Sequence, residues 1–171
     1  MSKLKSYALA AVLAAVYAVI AQITIPFPLV PLSFQCFAIA LGGYAFGCRI
    51  GLISTALYIG IGAVGLPVFS GFRGGAEVLF GPTGGFIWGF ILLALFCGFG
   101  KNKKRSAAFV LGMVGLIFCN ALGVLQFSLL GKSGITAFIL TSAPYILKDA
   151  FLLWVAISLA PTVSASVLRK R

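Results

Sequence analysis

From Ser6 to Cys48 the chain carries no charged side chain, and between Ile50 and Gly100 it carries only Arg73 and Glu77. Uncharged runs of that length decide the solvent. Soluble chains hold roughly 25% charged residues; here the share is 9%, against 61% apolar, which is too little polar surface to face water. The chain is therefore expected to be an all-α integral membrane protein. At about 20 residues per crossing, its 171 residues suit a single domain, 1–171, of six transmembrane helices.

Local breaks place the spans. The first is expected from about Ser6 to Ile23, ended by Ile25-Pro26-Phe27-Pro28-Leu29-Val30-Pro31, since three prolines cannot continue a helix. A short second span runs from about Phe34 to Cys48 and a third, just past Arg49, from Gly51 to Gly65. The fourth covers about Gly84 to Phe99, the fifth Ala107 to Leu130 and the sixth Thr136 to Ser164. The charged start and apolar run at the N-terminus resemble a secretory signal, and Val19-Ile20-Ala21 is a weak cleavage-like site. The run is long for such a signal, and cutting would remove a needed span, so the segment is expected to stay.

A net charge of +11, from 13 Lys and Arg against two acids, would suggest nucleic acid as the partner of a soluble protein. Position argues otherwise. Lys3, Lys5, Arg49, Lys101, Lys103, Lys104, Arg105, Arg169, Lys170 and Arg171 fall at span ends on one side, while Arg73 and Lys132 fall on the other. The positive-inside rule then puts both termini in the cytoplasm, with the cations meeting lipid headgroups rather than nucleic acid. The four cysteines, Cys36, Cys48, Cys97 and Cys119, stand singly in apolar stretches and there is no His. No zinc, haem or other cofactor is expected, and the thiols read as packing residues.

The segment from Leu66 to Gly85, LPVFSGFRGGAEVLFGPTGG, is too apolar for a solvated linker and too rich in Gly and Pro for a helix. It is expected to be a re-entrant outer loop that folds back on the bundle and lines a cavity. No internal repeat is apparent, which counts against a transporter of two symmetric halves.

Candidate functional residues follow from what an apolar medium tolerates. Lys148 and Asp149 are the ionisable residues well inside a span, where each costs at least about 2.5 kcal/mol unless paired or wet. Neighbouring helical residues point about 100° apart, so the two are not expected to pair face to face. At least one needs a partner elsewhere: a ligand, or else Glu77 or Arg73 in a purely structural ion pair. Pro144, just before them, is placed to loosen the outer part of the last helix. Arg73 and Glu77 either pair with each other, if a helical turn forms despite Gly74 and Gly75, or form a solvated rim. Gln35 and Asn120 are lone amides inside the second and fifth spans, available for interhelical bonds or for a ligand. In Gly81-Pro82-Thr83-Gly84-Gly85 the backbone can approach a ligand at a helix start with free N–H groups.

Gly131-Lys132-Ser133 resembles the end of a phosphate-binding loop, but Gln126 stands where its first glycine is required, which excludes a nucleotide site. Small residues recur at four-residue spacing on the first span, at Ala10, Ala11, Ala14, Ala15, Ala18 and Ala21. Such stripes invite close helix approach, either inside the bundle or against a partner. Gly43, Gly47 and Gly51 repeat that spacing across the second and third spans, interrupted by a turn.

Three stretches, Val30-Pro31-Leu32-Ser33-Phe34-Gln35, GLPVFSGFRGG from Gly65 to Gly75, and LFGPTGGFIWGF from Leu79 to Phe90, together with Pro144-Tyr145-Ile146-Leu147-Lys148-Asp149, closely resemble the BioY family. That family comprises the biotin-specific substrate-binding (S) components of energy-coupling factor (ECF) transporters, and the resemblance covers nearly the whole chain. It implies a six-helix, multi-pass protein of a prokaryotic plasma membrane that binds biotin near its outer end. It also implies docking on a transmembrane coupling protein, the T component, that carries two ATP-binding cassette ATPases. Members commonly show an acid and, three residues on, a lysine in the last helix, both tied to biotin. Asp149 matches the acid, but Leu152 stands at the lysine position and Lys148 is the available substitute. The family's alanine pair for coupling fits Ala11 with Ala15 or Ala14 with Ala18, with Ala10 on the same stripes. The site residues so implied are Gln35, Arg73, Glu77, Thr83, Gly84, Gly85, Asn120, Tyr145, Lys148 and Asp149, none of them catalytic. Two other classes remain: a stand-alone secondary carrier using Lys148 and Asp149 as its coupling pair, and a small membrane enzyme or assembly factor. For an enzyme, one Asp, one Glu and no His are a poor acid–base set.

Overall fold

The computed structural model describes residues 3–25, 32–130 and 135–168, with the backbone alone over 135–144. Its helices are α1 (Lys3–Ala21), α2 (Gln35–Phe46), α3 (Cys48–Ala63), α4 (Ala76–Phe80), α5 (Gly84–Gly100), α6 (Arg105–Leu129) and α7 (Ile135–Leu168), and its strands are β1 (Thr24–Ile25) and β2 (Leu32–Ser33). Three helical segments, Lys3–Ala21, Arg105–Leu129 and Tyr145–Val167, are long and apolar enough to cross a membrane. The helices α2, α3 and α5 are equally apolar but shorter. Lys132, Arg169, Lys170 and Arg171, used above for orientation, lie outside the described residues, as do most of the proline-rich loop and Gly131-Lys132-Ser133.

The structure departs from the sequence-based expectation in three places. The ends of the proline-rich loop pair as an antiparallel stem, Thr24 with Ser33 and Ile25 with Leu32, because a chain barred from helix by proline still has backbone groups to satisfy. Arg49 is not in a loop: only Gly47 separates α2 from α3, and its φ of 85° belongs to the left-handed region that glycine adopts freely. Ala76-Glu77-Val78-Leu79-Phe80 does form a helix, α4, in the segment expected to have none. Gln126 of α6 holds its end by donating to Leu79 O at 2.9 Å and Gly81 O at 2.8 Å, a tertiary tie that local composition does not reveal.

The core gathers around α2, which touches α1, α3, α5 and α7, while α5 lies along α6 and α1 along α3. Hydroxyls buried in α3 are satisfied locally: Ser54 donates to Ile50 O at 2.7 Å and Thr55 to Gly51 O at 2.8 Å, the usual solution where no water is present. The interrupted glycine series of α2 and α3 marks a three-helix crossing. A Cβ on Gly51 would stand 3.2 Å from Gly43 Cα, and one on Gly98 of α5 only 2.5 Å from Cys48 Cα. Backbone cannot yield there as a flexible side chain would. Gly98→Ala is therefore expected to destabilise the bundle by about 1–3 kcal/mol through overpacking, measured as a lower melting temperature in detergent. An unchanged melting temperature would show that α3 and α5 separate freely.

The two alanine stripes of α1 have different fates. Ala10, Ala14 and Ala21 are fully or almost fully buried in the core beside Tyr17, Ala18 is partly buried, and Ala11 and Ala15 face outward. Ala10 and Ala14 thus cannot meet a docking partner, a correction to the broader stripe. Spacing fixes which residues share a face, but the neighbouring helices α2 and α3 decide which face is covered.

Candidate functional site

Asp149 and Lys148 sit on α7, where the helix meets α2 and the β1–β2 stem. Asp149 is 5% exposed, and Lys148 Nζ lies 2.8 Å from its Oδ1. The expectation that these neighbours do not pair is therefore overturned. The 100° separation describes Cβ directions, but four methylenes let the lysine curl back over its neighbour. Lys148 Nζ also donates to the backbone carbonyl of Ser33 on β2. Neither Glu77 nor Arg73 pairs with the carboxylate, and they do not pair with each other; among the described residues the ion pair is Lys148–Asp149.

That contact gives the buried Asp149 Oδ1 a charged partner, and Cys36 of α2 approaches the same carboxylate. A different buried oxygen, Ser70 Oγ on the segment after α3, has no hydrogen-bond partner among the described residues. Asp149 and Ser70 line one cavity. An unsatisfied buried oxygen costs about 1–3 kcal/mol, so Ser70 Oγ beside the ionised pair favours a polar ligand in this space.

The wall of this cavity draws on β2, α2, the segment after α3, α4, α5, α6 and α7. Ser33 and Gln35 form one polar edge: Ser33 Oγ donates to Gln35 Oε1 at 2.9 Å, and Gln35 Nε2 to Tyr58 OH at 2.6 Å. Tyr58 then donates to Val68 O at 3.0 Å. From α6, Asn120 reaches the cavity with its Nδ2 committed to Leu116 O at 2.9 Å. Tyr145 of α7 and Thr83 before α5 complete the polar set, and Phe69, Phe86, Ile87 and Phe90 supply apolar surface. Arg73 stands at the exposed margin, its Nε donating to Ser70 O at 3.2 Å.

Of the residues singled out by sequence, Asp149, Lys148, Gln35, Arg73, Thr83, Asn120 and Tyr145 come together here, and Glu77, Gly84 and Gly85 do not. Glu77 is exposed on α4. The two glycines serve packing: a Cβ on Gly84 would meet Leu79 O and one on Gly85 would meet Leu122 O, both far inside contact distance. Sequence reasoning missed Ser33 and Ser70, whose residue type says nothing without the fold. It also treated Cys36 and Cys119 as packing alone, yet both line the cavity, their thiols adjacent and Cys36 beside the Asp149 carboxylate.

Comparison with known proteins bears on the same geometry. The model of the BioY family matches residues 1–169. The biotin transporter BioY of Thermotoga maritima is 45% identical over 117 residues, covering 67% of this chain and 69% of its own length. The probable biotin transporter BioY of Pyrococcus horikoshii is 35% identical over 147 residues, covering 86% and 88%. Among solved structures, the S-component for biotin from an ECF-type ABC transporter superposes with a TM-score of 0.83 at 22% identity, over 99% of this chain and 93% of that one. At that identity the likeness is one of fold.

Proposed function

The chain belongs to the BioY family, and from that premise we propose that it captures biotin in the Lys148–Asp149 cavity as the S component of an ECF-type uptake transporter. It is a multi-pass protein of a prokaryotic plasma membrane. In this reading α1, α2, α3, α5, α6 and α7 are six spans, both termini are cytoplasmic, and the cavity opens outward. The protein hydrolyses nothing itself; a T component and two ATP-binding cassette ATPases drive release on the inner side. The relatives described as biotin transporters support the ligand.

The observation that carries the proposal is one cavity lined both by the buried Lys148–Asp149 pair and by Ser70, whose Oγ has no hydrogen-bond partner among the described residues. Biotin's ureido ring presents two N–H donors and a carbonyl. The carboxylate of Asp149 accepts from those donors, and the Ser70 hydroxyl, able to donate and accept, completes the polar contact. In the same wall, Phe69, Phe86 and Phe90 suit the apolar thioether ring. Calorimetric titration of the purified protein tests the proposal. Saturable binding of biotin is expected, and no heat with no ligand-linked stabilisation at micromolar biotin would remove it.

Biotin's valerate carboxylate needs a cation as it leaves water. Lys148 is already held by Asp149 and the Ser33 carbonyl, whereas the described bond of Arg73 at the cavity margin uses Nε, and its terminal N–H groups suit a carboxylate. Biotin amide is accordingly expected to bind less tightly than biotin, and Arg73→Met to erase most of that discrimination while Lys148→Met preserves it. An acid-to-amide ratio unchanged in Arg73→Met would remove Arg73 from this role.

A further inference from the structure

Gln22 follows directly on α1 and is not part of the cavity wall, yet its amide makes four contacts. Nε2 points at Ala18 O (3.1 Å), Val68 O (3.3 Å) and Phe69 O (3.2 Å), and Oε1 accepts the N–H of Phe72 at 2.8 Å. The target is a tight hairpin in which Phe69 and Arg73 exchange backbone hydrogen bonds of 2.9 and 3.3 Å. At its tip Gly71 has φ 74° and Phe72 φ 56°, and a phenylalanine in the left-handed region is held there only by its surroundings.

The hairpin is attached at two levels. Its base is bound to α3, through Tyr58 OH to Val68 O at 3.0 Å and through Gly75 N–H to Gly62 O at 2.7 Å, so these bonds hold it even without the Gln22 contacts to Val68 O and Phe69 O. The described polar contact of its tip with another element is Gln22 alone. Phe69, Ser70 and Arg73, the residues flanking that tip, line the cavity.

We propose that Gln22 is a positioning residue for ligand retention: its amide latches the Phe69–Arg73 hairpin over the cavity and fastens it to α1. The proposal rests on biotin occupying this cavity. Ligand leaves when the tip comes away from Gln22, so the latch acts on dissociation. Association needs only the open form, which loss of the latch makes more abundant. Because α1 carries the latch, a displacement of α1 moves the tip directly.

Gln22→Met keeps nearly the same volume without the amide, and Gln22→Ala serves as a second variant should the thioether pack badly. In purified protein, dissociation of labelled biotin is expected to quicken at least about tenfold in both variants, a retention loss on the scale of about one hydrogen-bonded contact. Association is not slowed, and the melting temperature stays near that of the parent. Hydrogen exchange in the ligand-free protein is expected to quicken at the Phe72 amide and not at Gly75, a pattern that a general loosening of the fold would not give. Unchanged dissociation, or equal acceleration of exchange at both amides, overturns the latch. Failure of the parent itself to bind biotin would instead overturn the cavity reading and the latch with it, and so is distinguishable from failure of the latch alone.

Discussion

Asp149→Asn is expected to weaken biotin binding by at least about 1.5 kcal/mol, roughly tenfold or more, the scale of a hydrogen bond to a charged group. Asparagine keeps the shape and one oxygen but removes the charge and substitutes an NH2 group for the second oxygen. Where the carboxylate offers only acceptors, the amide turns a donor toward biotin's own N–H groups. The substitution also strips Lys148 of its counter-charge, leaving a cation in an apolar setting with the Ser33 carbonyl as its remaining described partner. Breaking a buried pair by removing one partner is commonly costly, so the melting temperature must be measured alongside the titration. If the folded variant binds as tightly as the parent, Asp149 is there for Lys148 and not for the ligand.

The second large effect concerns coupling. Ala11→Trp and Ala15→Trp are each expected to abolish biotin uptake while leaving biotin binding within about threefold of the parent, a change well under 1 kcal/mol. Both alanines face outward from α1, and within lipid the close approach of small residues supplies much of helix association. An indole there blocks a docking helix without reaching the cavity. Ala14→Trp provides the contrast: at 2% exposure it has no room, and binding and uptake should fall together. Uptake that survives both outward substitutions would place the interface elsewhere, and uptake by cells lacking the ATPase partners would favour a carrier that works alone.

Much of this was open to a reader of the sequence, for reasons that differ by element. The helices other than α4 announce themselves because proline, glycine and charge interrupt apolar runs, and these are local effects. Asp149 and Lys148 stand out because an ionisable residue in such a run needs a reason. What stayed hidden depends on contacts between distant segments. The short α4 exists because Gln126, 45 residues beyond Gly81, takes its final carbonyls. The buried alanine stripe could not be told from the exposed one by spacing, since both stripes have the same period. Ser70 and Gln22 had no pattern at all: a lone hydroxyl and a lone amide gain meaning only from the cavity and the hairpin they meet. The pairing of Lys148 with Asp149 was missed for another reason, that helical geometry orients the first carbon of a side chain and not the end of a long one.

That pairing has a mechanical consequence. Two opposite charges carried by different helices would bolt those helices together, since drawing them apart in hydrocarbon leaves each ion bare. Here both charges hang from consecutive residues of α7, so the pair travels as one electrically neutral fitting. The surrounding helices and the β1–β2 stem can shift against α7 without separating an ion from its counter-ion, and what is given up is the bond from Lys148 to the Ser33 carbonyl and the approach of Cys36 to Asp149. A protein that must take in a ligand on one side of a membrane and surrender it on the other is thereby spared an electrostatic barrier in the middle of its cycle.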